Sequence, residues 1–275
     1  MGIDWIVDFG CPAKEALGTE SILHMLKARS RAATIIESAR SRGDERPPDE
    51  LEFEMVLLGP DGPQQRRLSA GSLLAQAAPL DVHANGCEGC PANVGARPYG
   101  CVGYISYPIT AASERWLLGR LPREPDSTAG AFLRRALTDF GWDGAGTRRM
   151  RERPEIFEAR EPLERRWADG AAVTTDQLFE MLFGLGPLQP AHTMMICLFL
   201  GLLPEDLPPA VLGQLGRGEG QLLRLAETLR DDAGARLRRD APGPGAVAPQ
   251  EEALFRFLIG AMVAAGLSVA TLIDA

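Results

Sequence analysis

Three cysteines, Cys87, Cys90 and Cys101, fall within fifteen residues, and only Glu88 and Gly89 separate the first two. A two-residue gap lets one tight turn aim both sulfurs at a single ion, the geometry of a thiolate knuckle. Gly86, Gly89, Gly100 and Gly103 crowd the same stretch and are expected to supply the left-handed dihedrals such a turn needs. A structural zinc ion takes four Cys or His ligands, so one more is required. Two residues qualify. His83 stands four positions before Cys87, and Cys11 follows an apolar segment in Phe9-Gly-Cys11-Pro12. Cys11 and Cys90 each precede a proline, which stiffens the chain there. Four thiolates suit zinc or an iron–sulfur cluster, whereas three thiolates and an imidazole favour zinc. The expected metal set is therefore Cys87, Cys90 and Cys101 with Cys11 or His83, and the expected cofactor is zinc, with an iron–sulfur cluster as the alternative.

Competing chemistries fit the same residues less well. A redox dithiol of the thioredoxin kind opens a helix directly after a strand, but Pro91-Ala-Asn-Val-Gly95 reads as loop. A zinc base deaminase needs His-x-Glu and Pro-Cys-x-x-Cys; here Ala84 and Asn85 follow His83, and the proline comes after the second cysteine. Cys11, between a strand and a helix, has a second reading as a reactive thiol. Cys197 sits in the apolar run Met194-Met-Ile-Cys-Leu-Phe-Leu200 and reads as core, while His24 and His192 read as structural. Gly216-Arg-Gly-Glu-Gly220 follows no strand and joins two helical stretches, so it is not a phosphate loop. Catalytic residues stay unassigned. The leading expectation is a metal-binding interaction or regulatory module within a larger assembly, and the alternative is an enzyme or electron carrier built on an iron–sulfur cluster.

Composition narrows the partners. Lys plus Arg is 29 against Asp plus Glu 37, a formal charge of -8 and a pI near 5.1, so no global basic field draws nucleic acid or anionic lipid. Protein partners are expected instead. Lys14 and Lys27 are the only lysines, a bias of the kind seen in GC-rich bacterial coding. An odd cysteine count of 5 and an opening Met1-Gly-Ile-Asp-Trp-Ile-Val-Asp8 without a basic or long apolar leader point to a reducing cytoplasm. Two apolar runs need a membrane check: residues 193–203 are too few to span, and residues 257–273 are divided by Gly266 and end in strand-forming residues. A buried helix followed by a strand is expected there.

The elements that must position the cysteines read as α+β: an N-terminal α/β layer carrying the Gly/Cys-rich metal loop, then a mainly helical C-terminal region. Strands are expected at residues 4–9 and 102–109, with a hairpin over 51–58 and 65–68. Helices are expected at 19–42 with Thr19 as cap and a stripe of Ile22, Leu23, Leu26, Ala33 and Ile36, then at 72–78, 112–120 and 127–140. Residues 141–169 alternate Arg and Glu and read as a solvated connector between a domain over 1–140 and a helical region over 170–275. In that last region Thr174-Thr-Asp-Gln177 writes a capping box, helices follow at 191–203, 210–214, 220–239 and 250–265, and the Pro/Gly segment 241–249 links the last two.

Overall fold

The structure, a computed structural model, describes residues 2–59, 62–95, 97–184, 186–211, 223–228 and 250–274. The elements used below are, in chain order, β1 (Gly2–Val7), α1 (Pro12–Leu17), α2 (Thr19–Ser41), β2 (Glu52–Gly59), β3 (Gly62–Ser69), α3 (Ala70–Ala77), α4 (Pro79–His83), β4 (Val102–Ser106), α5 (Ala111–Arg120), α6 (Thr128–Asp139), α7 (Ala145–Met150), β5 (Glu164–Arg166), β6 (Ala172–Thr174), α8 (Thr175–Phe183), α9 (Pro190–Phe199), α10 (Gln250–Gly266) and β7 (Thr271–Asp274). Mixed helix and small antiparallel sheets give the α+β class. The chain divides into two compact units, one of Met1–Phe9, Pro91–Ala96 and Gly100–Ala275, the other of Gly10–Cys90 and Arg97–Tyr99. The expected link at 241–249 and most of the helices expected at 210–214 and 220–239 lie outside the described residues, as does Gly216–Gly220.

In the first unit β1 is the centre of a three-stranded sheet in the order β4-β1-β7, antiparallel on both sides. Trp5 stands opposite Gly103 on β4 and Ile273 on β7. Its indole is 2% exposed and explains two glycines at once: a Cβ on Gly103 would come within 2.1 Å of the ring, and one on Gly260 within 2.4 Å. Gly260 belongs to α10, so its absent side chain lets that helix settle on β1 and β4. Phe257 meets the indole edge-on at 6.1 Å. Leu254 and the two and a half turns from Phe257 to Ala265 are buried, against the sheet and against α5 and α9. Among the described residues no helix is long and apolar enough to cross a membrane.

Gln250, the first residue of α10, stops β4 short of the expected Ile109. Its carboxamide oxygen accepts from the Thr110 amide at 2.9 Å and from the Ser113 hydroxyl, and its nitrogen donates to the carbonyls of Ser106 and Pro108. Pro108 has no N–H to continue a ladder, and the peptide before it is cis. One side chain thus closes the turn from β4 into α5.

Arg151 departs most from the sequence reading. Its neighbours in the charged stretch, Arg148, Arg149, Glu152 and Arg153, are exposed as expected, but Arg151 is 2% exposed. Its guanidinium pairs with Glu114 on α5 and Asp176 on α8, both fully buried, and donates to the Ala159 carbonyl and the Thr175 hydroxyl at 3.0 Å. Thr175 in turn donates to Glu114 at 2.6 Å, and the guanidinium lies 4.3 Å from the centre of the Phe157 ring. Burial works against the Arg151 charge, but the bonds to Glu114 and Asp176 outweigh it and hold the pKa above its ordinary value. Residues 145–151 are accordingly a structural helix end. Glu180 supports it by accepting from the amides of Gly144 at 2.6 Å and Gly146 at 3.3 Å. Gly144 has φ 78°, and a Cβ there would meet Asp176 at 2.8 Å, so only glycine lets α7 start this close to α8.

The second unit is a small α/β layer. α2 forms as expected, but Gly18 rather than Thr19 is its cap residue, and the buried stripe is Ile22, Met25, Ala28, Ala32 and Ala39. Leu23, Leu26 and Ile36 are half-buried and Ala33 is exposed, because the partner face is narrow and rewards small side chains at close approach. That partner is α3, whose Ala70 and Leu73 join Ala28, Ala32, Ala39 and Leu51 in one core with Phe53 and Leu68 of the β2–β3 hairpin packed on it. Ser69 and Ser72 cap α3 reciprocally. The hairpin pairs Glu52 with Ser69 through Gly59 with Gly62.

Two variants test these packing claims, with urea unfolding followed by tryptophan emission, since Trp5, Trp116, Trp142 and Trp167 all belong to the first unit. Arg151→Met strands two buried carboxylates and should cost about 3–5 kcal/mol; a loss under about 1 kcal/mol would show that the ion network is dispensable. Gly103→Ala should cost about 1–3 kcal/mol despite alanine's better strand behaviour, and a stabilised variant would refute the indole contact.

Candidate metal centre

Cys11 is the residue before α1, extended at φ -151° and ψ 160°, with its sulfur making no capping bond. Pro12 occupies the first helical position, where a missing N–H costs nothing. The thiol is half-buried. α1 packs on α2, on α4 and on the short turn of helix over Ala84–Cys87 that follows α4. α4 itself begins at Pro79, and His83 is half-buried in its last turn. Arg29 of α2 donates to the Ala77 carbonyl at 3.1 Å and to Asp81 at 2.8 Å, tying the helices of this layer to the segment that leads into the cysteines.

The C-x2-C segment is a tight turn. The Cys90 amide donates to the Cys87 carbonyl at 3.4 Å, and Gly89 takes φ 70°, the left-handed region that favours glycine. Cys87 is buried and Cys90 half-buried. Of the four glycines expected to provide unusual dihedrals, only Gly89 does. Gly103 is required by the Trp5 ring, and Gly100 by space, since a Cβ there would meet Asn93 at 2.0 Å and the Gly95 amide at 2.8 Å. Gly86 has open space around it.

Tyr99, which no sequence pattern singled out, is the residue that organises this turn. It is 3% exposed and adopts φ 57°, unusual for a side chain of this size. Its amide donates to the Cys87 sulfur at 3.2 Å, and its phenol donates to the Leu80 carbonyl of α4 at 2.7 Å. Burial first and the adjacent Cys87 thiol second push the phenol's pKa up, with Asp81 and Cys11 adding to the rise and Arg29 opposing it. The only local hint in the sequence is Pro98-Tyr-Gly100, a turn composition with no chemistry attached.

Cys101 belongs to the first unit, at the threshold of β4, where its carbonyl accepts from the Val7 amide at 3.0 Å; it is buried. Along the chain it is two residues beyond Tyr99. Among the described residues no three His, Cys, Asp or Glu side chains converge as they would around an ion, and none of the five cysteines is joined in a disulfide. Cys11, His83, Cys87 and Cys90, the ligands expected from the sequence apart from Cys101, all lie in the second unit. His24 is exposed on α2, and His192 packs edge-on to Phe140 at 6.0 Å, its buried Nδ1 without a hydrogen-bond partner among the described residues. No protein-family model, curated protein or solved structure matches this chain.

Cys197, on α9, is 1% exposed, and burial pushes its thiol up to about 12 from an ordinary 9.0. The folded chain keeps a proton that the unfolded chain gives up above pH 9.0, so this contribution to stability is complete below 9.0 and is lost as pH rises towards about 12. For one proton the slope approaches about 1.4 kcal/mol per pH unit. Urea unfolding of wild type and Cys197→Ala on both sides of that threshold should show a steeper alkaline decline for wild type, and parallel declines would contradict the buried thiol.

Proposed function

We propose that the protein is a metal-binding interaction or regulatory module acting within a larger assembly, with one structural zinc ion held by the cysteine turn. Cys87 and Cys90 are the paired ligands and Cys11 the third. His83, in the same unit, is the fourth ligand. The observation that carries this reading is the C-x2-C turn itself, with left-handed Gly89 inside it and a main-chain N–H directed at the Cys87 sulfur. Such donors are the outer-shell partners that orient metal-bound thiolates. A sphere filled by four protein ligands leaves no open position for substrate, which suits a structural rather than a catalytic ion. The acidic balance of -8 favours protein partners over nucleic acid.

Elemental analysis and the visible spectrum of protein purified under argon test this directly. Zinc in a colourless protein supports the module, whereas a brown protein with iron and acid-labile sulfide supports a cluster at the same thiols. Replacing Cys87, Cys90 or Cys11 singly with Ser should lower both metal content and melting temperature, while Cys197→Ser keeps the metal. Structural zinc contributes on the order of 10 kcal/mol of apparent binding energy, so losing it should loosen the ligand-bearing segments even though each unit has its own packed side chains. Metal retained in full after all three replacements would place the ligands elsewhere.

A further inference from the structure

The segment Cys87-Glu88-Gly89-Cys90 closes on itself. Glu88 takes φ -69° and ψ 128°, Gly89 takes φ 70°, and the Cys90 amide donates to the Cys87 carbonyl at 3.4 Å. These are the dihedrals of a type II β-turn, whose first and last Cα atoms lie within about 7 Å of each other. A disulfide bridges Cα atoms about 4.4–6.8 Å apart, so the closed turn brings the two cysteines to the span of an S–S bond. Access to the two sulfurs differs. Cys87 is 7% exposed and accepts from the Tyr99 amide at 3.2 Å. Cys90 is half-buried, Glu88 and Gly89 are exposed, and a Cβ on Gly89 would meet nothing within 4 Å. A small reagent therefore reaches Cys90 first. A bridge across so short a loop removes little entropy from the unfolded chain, so it is a poor structural staple. The Tyr99 N–H bonded to the Cys87 sulfur stabilises the reduced form, which makes the disulfide easier to reduce.

We infer that Cys87 and Cys90 are a reversible dithiol, an oxidative modification site whose reactant is a low-molecular-weight disulfide of the glutathione class. The Cys90 thiolate attacks one sulfur of that disulfide and forms a mixed disulfide, while the leaving thiolate takes up the proton that Cys90 gave up. Cys87, as thiolate, then attacks the Cys90 sulfur, releasing a second thiol and closing the Cys87–Cys90 bond. Two electrons pass from the protein to the reactant, which departs as two thiols. The inference stands apart from the metal reading because it needs these two sulfurs alone, although an ion held by both would shield them. Unlike a thioredoxin site, the first cysteine ends a short helix, Ala84–Cys87, rather than opening one.

Full-length protein, treated with a chelator and then incubated with oxidised glutathione, tests the inference by alkylation of the remaining thiols in denaturant and peptide mapping. Both Cys87 and Cys90 should lose their thiols. Cleavage at Glu88, which separates the two, should leave fragments that stay joined until reductant is added, and excess reduced glutathione should restore both thiols. In Cys87→Ser the resolving sulfur is absent, so one glutathione should accumulate on Cys90. In Cys90→Ser the native protein should take up none at Cys87. The inference is overturned if both thiols remain open to alkylation after oxidation, if either links to Cys11 or Cys101 instead, or if the two variants take up glutathione equally. Should a variant not fold, the wild-type fragment map still decides. Zinc content measured before chelation reports on the metal reading separately.

Discussion

A guanidinium buried to 2% exposure cannot shed its charge, so everything near Arg151 must answer it. Glu114 answers from α5, Asp176 from α8, and Thr175 and the Ala159 carbonyl take the remaining donors. The positions of three helices are coupled through one planar group whose hydrogen-bond directions are fixed. Shifting α7 relative to α8 would break the bonds of charges buried away from solvent, and that penalty is larger than the net stabilisation the pairs provide. The cluster carries one cation against two carboxylates, and the exposed Arg148, 3.6 Å from the second oxygen of Asp176, offsets the residual negative charge from the solvent side.

Packing elsewhere in the first unit follows from a different constraint, the size of one indole. Trp5 occupies the middle strand, and the residues nearest it on β4 and α10 are glycines with no room for even a methyl group. Gln250 then closes the corner between that sheet and α5 with four hydrogen bonds from one amide, so the first residue of α10 helps set the direction in which α5 leaves. Bulk on β1 and its absence on both neighbours form one complementary surface.

The second unit is held by small residues along α2 and α3, and Cys11, His83 and Cys87 lie on or beside α1, α4 and the Ala84–Cys87 turn, which pack together. There the backbone does what side-chain spacing alone could not show. A left-handed tyrosine presents its amide to Cys87 and its phenol to α4, so the thiol turn and the helix before it share one anchor.

Several local features were legible in the sequence because local rules set them. The Thr174–Gln177 capping box forms, the helix expected at 127–140 runs from Thr128 to Asp139, the 51–68 hairpin pairs, the 257–273 run is a buried helix followed by a strand, and Cys197 is core. The C-x2-C turn with its left-handed Gly89 was legible for the same reason, since two-residue gaps and glycine dihedrals are properties of a few adjacent residues. Other features came only from contacts between distant segments. Nothing near Arg151 distinguishes it from Arg148 or Arg153, because burial is decided by carboxylates 37 and 25 residues away along the chain. Gly103 looked like a dihedral residue until Trp5 was opposite it, and Tyr99 carried no signal because its role depends on a sulfur twelve positions earlier and a carbonyl nineteen positions earlier. Sequence alone determined the short-range grammar of caps, turns and apolar runs. Which charges are buried, which glycines are spacers and which amide faces the thiol were decided by tertiary structure, because each depends on the distance between groups that only folding brings together.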